Sequence, residues 1–539
     1  MNDSTTTPTD VDVVVVGAGV TGLYAVHRLR GLGLRVRGFE RGDDVGGVWY
    51  WNRYPGARCD VESVDYSYSF DEELQQEWDW SEKYATQPEI MRYLGHVADR
   101  FDLRAPYSFG TSARSAELDE ETLTWTVRTD RGETVTTRFC VFAVGCLSAT
   151  HRPDIPGAAE FAGPVHHTGA WPHEGVDLTG LRVGVVGTGS SGIQAVPLLA
   201  EQAAHLTVFQ RSANYSVPAG NRPLDEETRT AQKAGYAERR RLARLSGGGS
   251  PHRAHPSRTF EVSEEERRAA FEERWRLGGV LYSKTFPDQL TDPAANDAAR
   301  AFWEEKIRGL VEDPAVADLL IPTDHPIGTK RIVTDSAYYE TFNRPDVRLV
   351  GLRDNPIDRI ERRGVVLADG TLVELDALVF ATGFDAMTGA LDRIEVRGRG
   401  GRLLRDAWAA GPRTYLGLGV DGFPNLFSLT GAGSPSVMAN VVLCAEQHVD
   451  WLAECLRHLD AHGLRAIEAR EDAVEKWVAE CRDRAAATLF MAADSWYLGA
   501  NIPGKPRVFM PFVGGFAVYG EIIAGVAENG YEGFDLIGP

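Results

Sequence analysis

The run Val11 to Val16 reads Val-Asp-Val-Val-Val-Val, mostly β-branched and with little alternation. Such a run suits a parallel strand covered on both faces. Gly17-Ala18-Gly19-Val20-Thr21-Gly22 comes next, then a helix-favouring stretch to about Leu32, then an apolar run from Leu34 to Phe39 that ends at Glu40. The same succession returns further on. Arg182 to Val186 leads into Gly187-Thr188-Gly189-Ser190-Ser191-Gly192, a helical stretch reaches about Ala203, and Leu206 to Gln210 ends in Arg211-Ser212. Each opening has a matching close: Arg138 to Ala143 before Val144-Gly145, and Leu375 to Phe380 before Ala381-Thr382-Gly383. Turn signals precede both, at Asp130-Arg131-Gly132 and Ala368-Asp369-Gly370. This internal repeat predicts an α/β fold with two Rossmann-like dinucleotide-binding domains, the first interrupted by the second.

The polar residues around these turns distinguish the two sites. Gly17 permits the tight turn, Gly19 lets a pyrophosphate approach the backbone, and Gly22 lets helix and strand pack closely. The free N–H groups of the helix N-terminus then face the phosphates. Glu40 stands where a carboxylate accepts hydrogen bonds from a ribose 2′-OH and repels a 2′-phosphate, so the first site suits FAD or NAD and is read as FAD. In the second site, Gly187, Thr188, Gly189, Ser190, Ser191 and Gly192 form the turn, and the ribose position carries Arg211 and Ser212. A guanidinium fork holds a 2′-phosphate through charge-assisted bonds, so this site is read as NADPH.

The rest of the chain is divided around these modules. The expected boundaries are 1–146 and 384–539 for the FAD domain, 147–220 and 329–383 for the NADP domain, and 221–328 for a helical insertion. Leu147 to Pro156 is the expected crossing linker. From Asn221 to His325 the composition turns charged and helix-favouring, as in Ser263 to Trp275 and Ala301 to Leu310, and its charge runs are read as solvated helix faces. Ser246-Gly247-Gly248-Gly249-Ser250-Pro251 is expected to be a flexible loop, and Met1 to Asp10 a loose tail.

Composition removes several classes. With 57 Lys+Arg against 77 Asp+Glu in 539 residues, the formal charge of −20 disfavours a nucleic-acid partner. The 43% hydrophobic and 25% charged content argues against a largely disordered chain. The six cysteines, Cys59, Cys140, Cys146, Cys444, Cys455 and Cys481, form no CxxC pair, which excludes a dithiol motif or a cysteine-rich zinc module. The N-terminus does not read as a signal peptide, and no apolar run approaches a membrane span. The expected setting is the cytoplasm.

Between the two glycine turns lies Phe161-Ala162-Gly163-Pro164-Val165-His166-His167-Thr168-Gly169-Ala170-Trp171-Pro172. This FxGxxxHxxxW(P) pattern resembles the fingerprint of the type I Baeyer–Villiger monooxygenases and sits where that family carries it. Gly46-Gly47-Val48-Trp49-Tyr50-Trp51-Asn52-Arg53-Tyr54-Pro55-Gly56-Ala57-Arg58-Cys59-Asp60, Gly328-Thr329-Lys330-Arg331 and Ser495-Trp496-Tyr497 are similar to the family as well. The resemblance runs from about Asp12 to Phe534 and is closest to the phenylacetone and steroid monooxygenase branch. Ala213-Asn214-Tyr215-Ser216 and Leu281 to Asn296 look most like the steroid-oxidising members.

The resemblance implies that NADPH reduces FAD, that the reduced flavin and O₂ give a C4a-peroxide, and that this peroxide, kept anionic, attacks a ketone to yield an ester or lactone. It implies Arg331 as the fixed cation at the flavin and Asp60 as its partner carboxylate. A guanidinium suits that task because it does not readily give up its proton. By the same resemblance Lys330 completes a 2′-phosphate clamp with Arg211, and Trp496 lies against the ribose and nicotinamide side of NADP. Gly47, Trp49, Asp60 and Tyr66 are implied flavin neighbours. His167 and Trp171 are implied coupling residues of the linker; no HxxxH or HExxH spacing makes His167 a metal ligand, and no metal is expected.

Gly431 to Met438 resembles a loop lining the family's ketone pocket, so Leu147, Pro435, Ser436, Val437 and Met438 are the expected pocket residues. Ala432 and Cys146 depart from the usual pattern, with Ala432 expected to loosen the loop and Cys146 to alter the pocket rim or to act as a small apolar group. The implied substrates are O₂ and a bulky aliphatic, aryl or steroid-like ketone, with no obligate protein partner. Three other readings stay open: an N- or S-oxygenating flavin monooxygenase, a disulfide reductase (which lacks its cysteine pair here), and a non-enzymatic NADPH-sensing flavoprotein.

Overall fold

A computed structural model of the protein describes residues 9–538. Most of the expected tail lies outside the described residues. Its end is docked: the Asp10 carboxylate accepts from the backbone N and Oγ1 of Thr136 at 2.8 and 2.9 Å.

The first sheet is built on Val11–Val16, flanked in parallel by Val36–Phe39 and Thr134–Phe142. Thr134–Phe142 also pairs in parallel with Leu426–Ser428, so the chain's last third returns to the sheet that its first residues began. Ala113–Asp119 and Thr124–Thr129 extend the sheet by antiparallel pairing, and Glu395–Arg397 closes that edge. The helix Val20–Gly31 packs with the long helix Val441–Ala461 in the largest apolar core.

The second sheet is wholly parallel, in the order Val347–Gly351, His205–Gln210, Arg182–Val186, Ala377–Phe380 and Val165–His167. Both sheets open through the same strand, glycine turn and helix. The Gly17 N–H donates to Phe39 O at 2.8 Å and the Gly187 N–H to Phe209 O at 3.1 Å. A Cβ at Gly17 (φ +106°) would stand 2.5 Å from Ala143 O, and one at Gly187 (φ +113°) 2.5 Å from Ala381 O. Any side chain at either turn would therefore collide with backbone and strain φ. The chain is α/β with two Rossmann-like units and added helices.

Between His205–Gln210 and Val347–Gly351 of the second sheet the chain is largely helical, with helices Glu226–Ala234, Tyr236–Arg244, Glu264–Leu277, Pro293–Leu310 and Pro314–Leu320. Glu264–Leu277 is a solvated face in which only Phe271 is buried. Tyr236–Arg244 corrects the reading of its charges as merely solvated. Arg239 pairs with Asp65 at 2.6 Å and Glu62 at 2.7 Å, and buried Arg240 donates to the carbonyls of Asp65 and Ser67. Arg239 neutralises carboxylates and Arg240 satisfies carbonyls in the loop after Asp60, and together they tie the insertion to the first domain.

The glycine-rich loop is likewise docked and not free. Ser246 O accepts from Ala517 N, Gly247 O from Phe516 N and Gly248 O from Asn440 N. Its small residues permit that contact, since a Cβ at Gly515 would meet Gly247 Cα at 2.9 Å.

Candidate active site

One continuous cavity of about 1360 Å³ runs between the two sheets and touches both glycine turns. At its first end the helix Val20–Gly31 begins at Gly19 without a side-chain cap, leaving N–H donors aimed into the cavity. Gly19 and Gly47 approach so closely that a Cβ on Gly47 would lie 2.8 Å from Gly19 Cα. Glu40 is buried at the strand end, and its carboxylate accepts from the N–H groups of Ala18 and Gly42, both at 2.7 Å. Burial raises its pKa despite those bonds. An uncapped helix, a glycine cradle and a fixed acid fit the pyrophosphate and ribose of FAD.

The second end repeats the design with opposite charge. Gly187, Thr188, Gly189, Ser190 and Ser191 line the cavity, and the helix Ser190–Gln202 also begins uncapped. Arg211, Ser212 and Lys330 line the same end. Burial pulls the Lys330 ammonium below its ordinary pKa, Asp324 opposes this, and Arg211 adds to it. These donors and cations fit a nucleotide with a 2′-phosphate. Gly22 and Gly192 stand behind the turns and off the cavity wall. Cβ atoms there would lie 1.8 Å from Gly17 O and 2.2 Å from Gly187 O, so their part is helix-to-turn packing.

Between the ends, Arg331 and Asp60 meet. Arg331 Nε donates to Asp60 Oδ2 at 2.6 Å and Nη2 to Oδ1 at 2.8 Å, a parallel two-bond pair. Nη1 donates to Val437 O at 2.7 Å. Burial disfavours the guanidinium charge, but Asp60 outweighs it and holds Arg331 above its ordinary pKa. Arg331 is placed by parallel pairing of Val333–Asp335 with Ser216–Pro218. Asp60 is placed by its neighbours, because Cys59 N donates to Ala85 O and Arg58 pairs with Glu82. Trp49 Nε1 donates to Tyr66 OH at 3.0 Å, with the rings edge to face, and both line the cavity.

Trp496, Leu147, Ser436 and Val437 lie on the cavity wall beside this pair. Pro435 and Met438 do not, which corrects their expected place. Pro435 is buried at the start of the turn Ser436–Met438, and Met438 packs toward Phe490, Tyr497 and Phe509. Ala432 is buried with Cys146, Ala386, Met387 and Met510. Cys146 is more than an apolar filler, because its thiol donates to Thr430 O at 2.9 Å and lies 3.0 Å from Ser436 Oγ.

His167 and Trp171 are buried away from the cavity. His167 Nδ1 accepts from Gly169 N, so Nε2 carries the proton and donates to His151 O at 3.1 Å. Burial keeps this imidazole below its ordinary pKa. Its bonds tie the linker to the end of the second sheet. Trp171 joins the second core with Tyr54 and Ala57.

Gln194 escaped the sequence reading. Its Oε1 accepts from Tyr54 OH at 2.9 Å and its Nε2 donates to Arg58 O at 3.1 Å, linking the second glycine helix to the loop that bears Asp60. The available signal was one amide among Ile193, Ala195 and Val196. Asp324, Thr430, Arg41 and Arg393 also line the cavity unannounced by any motif.

Two uncapped nucleotide cradles facing one cleft, with a paired guanidinium between them, define a two-nucleotide flavoprotein oxidoreductase. Residues 14–225 match the family described as pyridine nucleotide-disulphide oxidoreductase. The six cysteines are nonetheless free and buried. A Baeyer-Villiger monooxygenase of Pseudooceanicola batsensis is 45% identical over 527 residues, 97% of this chain and 95% of that protein. The phenazine N-monooxygenase PhzNO1 of Lysobacter antibioticus is 43% identical, over 98% of this chain and 97% of that one. A solved structure, an oxidized steroid monooxygenase bound to NADP, is 66% identical with a TM-score of 0.94, covering 98% of this chain and all of that one. The chain belongs to the Baeyer–Villiger monooxygenase family and is a flavin monooxygenase driven by NADPH.

Proposed function

We propose that the protein inserts one oxygen atom from O₂ beside the carbonyl of a bulky ketone, aryl or steroid-like, to give an ester or lactone. The observation that supports this most directly is the two-bond Arg331–Asp60 pair on the cavity wall between the nucleotide cradles. FAD, reduced by NADPH, supplies the activation of dioxygen; the chain's own residues bind, orient and stabilise the reacting groups.

Glu40 and the first glycine turn bind FAD, and Arg211, Ser212, Lys330 and the second turn bind NADPH. Trp49 and Tyr66 flank the flavin site, with Trp496 on the nicotinamide side. Arg331 presents a positive charge that cannot readily release its proton, so negative charge on the oxygen nucleophile and on the ketone-derived oxyanion is stabilised without being quenched. Asp60 fixes the plane of that guanidinium through two of its donors. Val437 O takes a third, linking the cation to the ketone loop. Cys146, Leu147, Ala386, Val437 and Trp496 line the cavity with Met387, Ala432 and Met510 packed behind them, and this largely apolar side suits a large ring system and the exclusion of water. His167 and Trp171 join the linker to the second sheet, where rearrangement of the two domains passes.

The steroid reading draws support from the 66% identical steroid monooxygenase. The phenazine relative motivates a second reading, N-oxygenation of a heteroaromatic amine. Product analysis with a 20-ketosteroid, phenylacetone and a phenazine under NADPH and O₂ tests both. Ester from the ketones supports the proposal. N-oxide alone, with no ester from any ketone, overturns it.

A further inference from the structure

The 2′-phosphate end of the cavity contains a carboxylate that a phosphate site would not be expected to include. Asp324 lines the cavity with Arg211, Ser212 and Lys330. It does not point away into solvent as a free acid. Its Oδ1 lies 2.5 Å from Nδ1 of His325, and its Oδ2 lies 3.6 Å from Nη2 of Arg353. Arg353 is held in turn by Thr323, whose Oγ1 accepts from Nη1 at 3.0 Å.

The His325 side chain is fully buried, edge-on to Tyr215 with ring centroids 5.2 Å apart, and Tyr215 OH donates to His325 O. Burial drives the imidazole down to about 4, so near neutral pH it is uncharged and its Nδ1–H donates to the carboxylate. Asp324 therefore keeps its negative charge and a fixed direction.

Arg211 and Lys330 line this end with Arg353 outside it against Asp324, and the charges of both arginines act on Lys330 unfavourably beside its burial. Asp324 and Asp494 offset this repulsion, so the cations of the clamp have counter-charge before coenzyme arrives. We propose that Asp324 is a positioning residue of the coenzyme site: buried His325 fixes it at the cavity end that Arg211 and Lys330 line, it pairs with Arg353, its charge offsets theirs before coenzyme arrives, and it thereby raises selectivity for NADPH over NADH. This rests on the reading of Arg211 and Lys330 as the 2′-phosphate clamp.

The test compares kcat/KM for NADPH and for NADH in the full-length holoenzyme, using NADH as an internal reference that lacks the phosphate. For Asp324→Asn the NADPH/NADH ratio is expected to fall about fivefold, and the salt dependence of KM for NADPH to steepen. Asp324→Glu, which keeps the charge, is expected to recover part of the ratio. Lys330→Met reports on the clamp itself and is expected to lower the ratio further. An unchanged or increased ratio in Asp324→Asn, while Lys330→Met lowers it, overturns the role of Asp324 and leaves the clamp standing. A ratio unmoved by both variants overturns the clamp reading as well. A merely structural role of Asp324 would lower both coenzymes' values together, and that outcome also overturns the proposal.

Discussion

Arg331 and Asp60 are 271 positions apart in the chain, yet their side chains meet through two parallel hydrogen bonds of 2.6 and 2.8 Å. One comes from the strand-forming segment after the insertion, the other from a loop of the first domain. The pair therefore exists only when the two domains are seated on each other. That makes the charge at the centre of the cavity a property of domain arrangement, with consequences that can be measured.

Asp60→Ala leaves Arg331 charged but held only through Nη1 to Val437 O, with the plane of its guanidinium no longer fixed. kcat for ester formation is expected to fall about 100-fold, the size of effect seen when a preorganised charge is lost. NADPH oxidation with release of hydrogen peroxide is expected to persist. Measuring product against NADPH consumed separates this uncoupling from simple inactivity.

The two glycine turns are separable by substitution. Gly187→Ala forces a methyl group against Ala381 O at a φ of +113°. The KM for NADPH is expected to rise at least about tenfold with FAD still bound, because the strain lies in the second cradle only. Gly17→Ala is expected to do the reverse and yield protein largely free of flavin. Flavin content and NADPH titration of the two variants check this.

All six cysteines are buried, and burial pushes the Cys146 thiol up to about 11. A thiol held neutral is a poor nucleophile. Native protein at pH 8 is expected to release less than about one equivalent in a thiol-disulfide exchange assay, and about six after unfolding. Cys146→Val removes the donor to Thr430 O and is expected to raise KM for ketone several-fold while KM for NADPH stays close to its original value.

His448 is fully buried on the helix Val441–Ala461, where its Nδ1 accepts from Thr430 N at 3.1 Å. Burial lowers its pKa from 6.5 to about 3. The unfolded chain then binds a proton that the folded chain does not, so stability is complete above pH 6.5 and is lost as pH falls toward 3. Between pH 6.5 and 5 this group alone is expected to cost about 2 kcal/mol, at about 1.4 kcal/mol per pH unit. His448→Asn is expected to flatten that slope in chemical denaturation, at some loss of stability at pH 7.

Much of this architecture was legible because repeats of strand, glycine turn and helix obey local steric rules. Gly17 and Gly187 are glycines for the same backbone reason, and Glu40 and Arg211 sit where strand ends must put them. Arg331, Asp60 and Trp496 carried no local signal; only resemblance to a family pointed to them, since pairing across 271 positions has no sequence pattern. Asp324 and Gln194 were illegible for the same reason, being polar residues whose meaning lies in partners from other segments. The docked loop Ser246 to Pro251 shows the opposite error. Its glycines read as freedom, but they serve close backbone contact with Asn440 and Gly515.

The central claim is that the fixed positive charge of Arg331 directs activated oxygen to the ketone. The most direct test is product formation by Arg331→Ala, purified with FAD and supplied with NADPH, a 20-ketosteroid or phenylacetone, and ¹⁸O₂. Flavin is expected to be still bound and still reduced by NADPH, with hydrogen peroxide as the product and ¹⁸O-labelled ester lowered by at least about 100-fold. Labelled ester at the rate of the unaltered protein would contradict the claim.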